Sequence, residues 1–429
     1  MKIFVVNAYV RENGGDASLV SVMLKQVKQA FPKADIALNS MEDPRKFHTF
    51  EGVTNKGAII RYTSEESINP IRRVLRKLLC IFIGEVWFIG PKGLYKMLNE
   101  LLPWEVRVEL QTLMSSDVVV SLGGGYINGK NTIGWDLNVF FRLMPLKLGK
   151  RLGKVVILGP QSYGPYGNKR QERWVRAMFN TADLVMVREQ PSIDLLTRIG
   201  VDPSRLLKTV DSGFAFEVPA QPDVFKPFNL KKGAPVLGIT ARQWLPAKQQ
   251  TIYEKSLAKV IDFAQQKYGM NVVLIPQVTS RFRADDDRIV EKRIADFCAI
   301  RPIVVDEHVD HLTLKAMYGK LDYLIGTRFH SVIFGVTSYV PCIAIEYEHK
   351  TGGIMHDLDL DKWVIKIEAV TAPKLKTLLE QLVAERKSYL THLKKVLPPY
   401  VQQAKDVPSI IRRVVNERAA AVATPKRDQ

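Results

Sequence analysis

Cysteine is scarce: Cys80, Cys298 and Cys342 are the only three in 429 residues, far apart and with no CxxC pair. That excludes a disulfide framework and a sequence-local zinc site, and it suits a reducing cytosol. Long apolar runs are missing too. The most apolar stretch, Leu78 to Gly90, is interrupted by Glu85 and falls short of the roughly 20 residues that a spanning helix needs. The opening MKIFVVNAYVRENGGD reads as a first core strand and not as a signal peptide. The loop after that strand lacks both GxGxxG and the Gly-Lys-Ser/Thr of a P-loop, so classical dinucleotide or ATP binding has no support. No internal repeat occurs at a fixed period, and no RNP-type, helix-turn-helix or zinc-finger signature is present. Acidic residues are outnumbered 62 to 44, a net charge of +18 with no detachable basic tail, which points to anionic small molecules or surfaces and not to nucleic acid.

What is present is ordinary for a globular chain: 46% apolar and 25% charged residues. Short β-branched runs lead into segments of helical period, the pattern of βα units on a parallel sheet. They fall at 3–9, 34–38, 117–122, 154–159 and 183–187, and again at 235–240, 271–276, 303–306, 322–326 and 342–347. The pattern predicts an α/β protein of two doubly wound, Rossmann-like domains. We read 1–217 as the N-terminal domain, the proline-rich, aperiodic 218–235 as a linker, and 236–385 as the C-terminal domain. Helices and a disordered tail follow over 386–429, with a break at Pro398-Pro399. Residues 68–98 form an insertion that mixes Arg72, Arg73, Arg76 and Lys77 with Leu78, Leu79, Phe82, Trp87 and Phe88. It reads either as a helix pair packed on the sheet with its bases in water, or as an interfacial segment on a membrane face.

Ligands of open α/β sheets bind at the carboxyl ends of strands, where helix N-termini hold anions, so the loops there are the candidates. Asn13-Gly14-Gly15-Asp16 leads into a helix with Asp16 or Ser18 as its expected cap. Gly123, Gly124 and Gly125 remove every Cβ that would keep a ligand off the backbone, and tight packing accounts for one such glycine, not three. Pro160 to Pro165, including Gln161, reads as a rigid polar loop at the same edge. Arg188–Glu189 reads as a structural pair. The sharpest signal is Gly326-Thr327-Arg328-Phe329-His330-Ser331, which sets a guanidinium, an imidazole and hydroxyls at a helix start, an anion site by construction. Arg242 adds a third cation at this edge, and Glu346 to Gly353 adds a second titratable cluster. Asp285-Asp286-Asp287 and Asp357/Asp359/Asp361 read as solvated faces, and His308 and His311 as surface residues.

These motifs together resemble the polysaccharide pyruvyl transferases, in particular the colanic-acid type of bacterial exopolysaccharide enzyme. The likeness rests on NGGD, GGGYING, GPQSYGP, VREQPS, DSGF, ITAR, GTRFHS and IEYEHKTGGIMHDLDL, of which GTRFHS and YEHKTGGIM are the specific pieces. The resemblance implies a GT-B-like fold with two Rossmann-like domains facing a central cleft. It also implies phosphoenolpyruvate as donor, and a sugar or lipid-linked oligosaccharide as acceptor that offers two hydroxyls. The products would be a cyclic ketal and phosphate, with phosphoenolpyruvate as co-substrate and neither cofactor nor metal. By that resemblance Arg328 and His330 hold the donor phosphate. Arg242 and Lys350 are further donor contacts, and His330, His349 and Glu348 are candidates for catalysis and proton transfer. Asp16, Gly123, Gly124, Gly125 and Gln161 would face the acceptor. Arg328→Ala is expected to abolish donor binding and leave the fold intact. The implied location is the cytoplasm, with peripheral contact at the inner membrane face as one option. A nucleotide-sugar glycosyltransferase, or a non-catalytic component of a polysaccharide assembly complex, remain the rival readings. The acceptor sugar and the oligomeric state stay open.

Overall fold

The computed structural model of the chain describes residues 1–64, 69–89, 102–219, 223–280 and 285–423. Each expected apolar run is a strand. The first sheet contains β1 (Lys2–Ala8), β2 (Asp35–Ser40), β3 (Thr49–Phe50), β4 (Val53–Asn55), β5 (Val118–Ser121), β6 (Gly124–Ile127), β7 (Val155–Tyr163), β8 (Leu184–Val187) and β9 (Leu206–Lys208). Its order is β3-β4-β2-β1-β5-β7-β8-β9, with β6 added on β7, and only the β3–β4 pair is antiparallel. The second sheet contains β10 (Val236–Thr240), β11 (Asn271–Leu274), β12 (Ile303–Val304), β13 (Tyr323–Gly326), β14 (Cys342–Glu346) and β15 (Val364–Lys366), in the all-parallel order β12-β11-β10-β13-β14-β15. Strands such as VVVS in β5 and VLGIT in β10 are buried along their whole length. Apolar side chains on both faces are what a parallel sheet covered by helices on both sides requires. In each sheet the strand order reverses beside the first strand, between β1 and β5 and between β10 and β13. The crevice at such a reversal is where doubly wound sheets bind ligands.

By their contacts the residues form two compact units. Met1–Val10, Leu19–Ser212 and the chain from Gln403 onward make the first, and Arg11–Ser18 with Gly213–Gln402 make the second. The segment expected as a separate C-terminal tail therefore divides. Its last helix, Val407–Ala423, belongs to the first unit, where Arg412 Nε donates to the Ala30 carbonyl at 2.9 Å.

Three local expectations are corrected. Pro398 and Pro399 do not break the chain; one helix runs Arg386–Lys405 through both. Burial of Tyr389, Leu393, Leu397 and Ala404 outweighs the backbone hydrogen bonds the prolines cannot make. The GPQSY segment is not a loop. Strand β7 continues through it to Tyr163, with a register shift between Leu158 and Gln161 that absorbs Gly159-Pro160. GGYI, expected as open loop, is the short strand β6 paired with that extension. Of the insertion at 68–98, Pro70–Ile89 is a single helix, and residues 68 and 90–98 lie outside the described residues.

Candidate functional site

The second unit gathers most of the predicted donor residues at its strand-order reversal. Strands β10 and β13 run in register and end at Thr240 and Gly326. A single hydroxyl then shapes the loop that follows: Thr240 Oγ1 accepts from the backbone amides of Thr327 (2.9 Å) and Arg328 (3.2 Å) and bonds Ser331 Oγ at 2.9 Å. Arg328 is thereby the N-cap residue of the helix Phe329–Thr337, with extended φ and ψ.

The partner of Arg328 overturns one expectation. Of Asp285 to Asp287 only Asp285 is solvated as expected; Asp286 and Asp287 are buried, Asp287 to 1% exposure. It starts the helix Asp287–Phe297, and its Oδ2 accepts from the amides of Gln277 (3.1 Å) and Val278 (3.0 Å). Arg328 Nε donates to both Asp287 oxygens at 3.0 Å, and Nη2 donates to Oδ1 at 2.6 Å and to Asp285 Oδ1 at 2.9 Å. Burial works against the charge of Arg328, but Asp287 and then Asp285 outweigh it and hold the guanidinium protonated. Nε and Nη2 are thus committed. Among the described residues Nη1 makes no such bond, and it is the donor left for a ligand. Arg328→Ala would leave Asp287 buried without its countercharge, so a loss of stability is expected beside any loss of donor binding.

Arg242 joins the same group. Its Nη2 lies 3.7 Å from Asp285 Oδ1, the carboxylate it shares with Arg328. Its guanidinium lies over Trp244, at 4.7 Å, and over Tyr347, at 4.3 Å, two rings that meet edge-on with centroids 5.0 Å apart. Lys350 also lies near the Tyr347 ring, at 5.8 Å, and pairs with Glu348 at 2.8 Å. Burial opposes ionisation of Glu348, but Lys350, Arg242 and His349 outweigh it and hold the carboxyl below its ordinary range. Glu348 precedes the helix His349–Asp357, and His349, its first residue, is exposed.

His330 is the second residue of its helix and packs on Phe329 and Phe334. Opposite it stands the NGGD loop, which belongs to this unit and not to the first. Asn13 bridges to Val278, and the Gly14 amide donates to the Gln277 carbonyl at 2.9 Å. A Cβ on Gly15 would fall 2.2 Å from His330 Nδ1, so only glycine lets the helix start close on the imidazole. The helix Gly14–Ala30 is capped by Asn13, whose Oδ1 accepts from the amides of Gly15 (3.0 Å) and Asp16 (3.3 Å), and not by Asp16 or Ser18 as expected. Asp16 accordingly sits in the second unit, one residue from the glycine on His330.

The other acceptor candidates lie in the first unit, where packing explains more of them than expected. A Cβ on Gly123 would strike the Pro160 carbonyl at 2.4 Å, and Gly124 has φ +134°. Gln161 is fully buried, which takes it off the accessible edge. Gly125 stays exposed beside Arg188, which is buried, pairs with Asp211 and donates to Ser162 Oγ at 2.7 Å. Sequence reading missed Asp287, Asp211 and Trp244. The GTRFHS motif gave no sign of its counterion 41 residues upstream.

Two α/β sheets, each with the order reversal of a doubly wound fold, and a cation cluster at the reversal of the second define a GT-B-like architecture. The chain belongs to the polysaccharide pyruvyl transferase family, whose profile matches residues 13–349. Pyruvyl transfer to polysaccharide is the general activity of that family. The amylovoran biosynthesis protein AmsJ of Erwinia amylovora is 23% identical over 389 residues, covering 86% of this chain and 89% of AmsJ. Among solved structures, Neisseria meningitidis UDP-GlcNAc 2-epimerase bound to UDP-GlcNAc aligns with a TM-score of 0.59 at 10% identity, over 97% of this chain and 100% of that one. Anabaena HepE in complex with UDP-glucose aligns with a TM-score of 0.54 at 13% identity, over 99% of both chains. These two likenesses concern the fold.

Proposed function

We propose that the protein transfers pyruvate from phosphoenolpyruvate to two hydroxyls of a sugar, in an exopolysaccharide or its lipid-linked repeat unit, to form a cyclic ketal and release phosphate. The observation that carries this reading is the pair of guanidiniums, Arg328 and Arg242, that share Asp285 at the strand-order reversal of the second unit. Phosphoenolpyruvate brings a phosphate and a carboxylate, and two arginines fixed by carboxylates and aromatic rings match such a ligand better than mobile lysines would. In the reaction an acid protonates C3 while the first sugar hydroxyl adds to C2 and gives up its proton. The second hydroxyl then displaces phosphate from C2 and closes the ring. Arg328 Nη1 and Arg242 would hold the phosphate as its bond to C2 breaks, which needs charge stabilisation and no covalent enzyme intermediate. His330, close to Arg328 in the chain, would exchange a proton with the donor side. Glu348, held ionised by Lys350 and Arg242, is a ready but weakened proton acceptor, and the exposed His349 beside it is the second candidate for proton transfer.

The test is calorimetric titration with phosphoenolpyruvate beside a panel of nucleotide sugars. Arg328→Lys serves as the variant because it keeps a positive charge for Asp287 and loses the fork. Saturable phosphoenolpyruvate binding that weakens at least about tenfold in Arg328→Lys is expected. A nucleotide sugar bound tightly in its place would move the protein to the glycosyltransferase class.

A further inference from the structure

The helix Pro70–Ile89 turns the usual amphipathic arrangement outward. Cys80 and Ile83 are buried in the core of the first unit, and burial pushes the Cys80 thiol up to about 12. Arg76 lies on the same inner side, over the Tyr62 ring at 4.2 Å and donating to the Tyr62 carbonyl at 3.3 Å. The opposite side carries Ile71, Val74, Leu75, Leu78, Leu79 and Phe82, all 40–71% exposed. At 3.6 residues per turn these six cover about 140° of arc over about 16 Å of helix length. A helix on a water-facing surface would put polar residues there. Residues 70–83 contain Arg72, Arg73, Arg76 and Lys77 and no acidic residue, and Arg72 and Lys77 flank the apolar arc on its two sides. No helix among the described residues is long and apolar enough to cross a membrane.

We propose that this helix lies flat on an anionic phospholipid surface, with its aliphatic and aromatic face in the headgroup–acyl boundary and its basic flanks on lipid phosphates. An exposed apolar stripe with flanking bases and no acid over residues 70–83, Glu85 being the one acidic residue in the helix sequence, is the pattern of interfacial helices. Charge decides between this occupant and a second copy of the chain, because two such helices face to face would bring guanidinium against guanidinium. The inner contacts of Cys80, Ile83 and Arg76 fix the helix to its unit, so docking requires no unfolding. The proposal does not depend on which donor the transferase uses.

Vesicle flotation of the full chain tests it, with phosphatidylcholine alone and with added phosphatidylglycerol, alongside sedimentation velocity for oligomeric state. The chain should float with the anionic vesicles and do so less at high salt. The triple variant Leu75→Ser, Leu78→Ser, Phe82→Ser changes exposed positions only, and should retain its circular-dichroism melt while partitioning more than about tenfold less. Arg72→Gln with Lys77→Gln should weaken anionic-vesicle binding by about tenfold and leave the phosphatidylcholine baseline unchanged. Absence of wild-type flotation on anionic vesicles, or equal flotation by the triple-serine variant, would overturn the proposal. So would a wild-type dimer that the triple-serine variant turns into a monomer, which would assign the face to a second copy.

Discussion

Asp287 carries two loads at once. It ties the chain after β11 to the helix Asp287–Phe297 through the Gln277 and Val278 amides, and it fixes two of the three guanidinium nitrogens of Arg328. In the proposed function such a residue would position the donor site without touching the donor. In Asp287→Asn the shape remains but the countercharge goes, so Arg328 is left buried and loosely held. Unfolding in urea should show a loss of about 3 kcal/mol, the size seen when one partner of a buried pair is removed. In the folded fraction, phosphoenolpyruvate affinity should fall about tenfold, with a smaller change in kcat. Unchanged affinity would show that Arg328 holds its orientation through Thr240 and Asp285 alone. The NGGD glycine belongs to the same scale: Gly15 exists for the imidazole of His330, a contact between residues more than three hundred positions apart.

The helix Trp104–Ser115 of the first unit carries a titration that concerns stability and not the site. Its Glu109 is buried and accepts a hydrogen bond from the Ile59 amide, which starts the helix Ile59–Ser64. Burial pushes the Glu109 carboxyl up from 4.5 to about 7, against the Ile59 amide and the Asn39 side chain, which lower it. A raised acid binds its proton more tightly folded than unfolded, so its contribution to stability is most favourable below 4.5 and is lost as pH rises towards 7. The loss amounts to about 3 kcal/mol. Glu109→Gln keeps an oxygen for Ile59 and removes the charge. Its melting temperature should therefore exceed that of the natural chain at pH 8 and lose that advantage at pH 4. Parallel curves for the two proteins across this window would show that water reaches Glu109.

Across the whole molecule, the net charge of +18 favours approach of the anionic donor proposed above. Association steered by that field weakens as salt shortens its reach, whereas chemistry within bound complexes does not. Raising the ionic strength should lower kcat/KM for phosphoenolpyruvate severalfold and leave kcat nearly constant. A flat kcat/KM would mean that Arg328 and Arg242 act on the donor only at contact. The same charge distribution favours the anionic surface proposed for the helix Pro70–Ile89.

Periodicity alone determined the two parallel α/β halves, because buried strands must be apolar on both faces and all ten expected runs became strands. The short strands Thr49–Phe50, Val53–Asn55, Leu206–Lys208 and Val364–Lys366 were not legible, since two or three residues carry no period. GTRFHS and YEHKTGG were legible as chemistry because they follow strands with residues too polar for a core. Tertiary structure alone decided that Asp287 faces inward to Arg328 and not outward to water. It also placed Gly15 against His330, and a strand where GPQSY read as a loop. In each case the deciding energy comes from a partner far away in the chain, a countercharge, an imidazole or a neighbouring strand, and no local pattern of residues records such a partner.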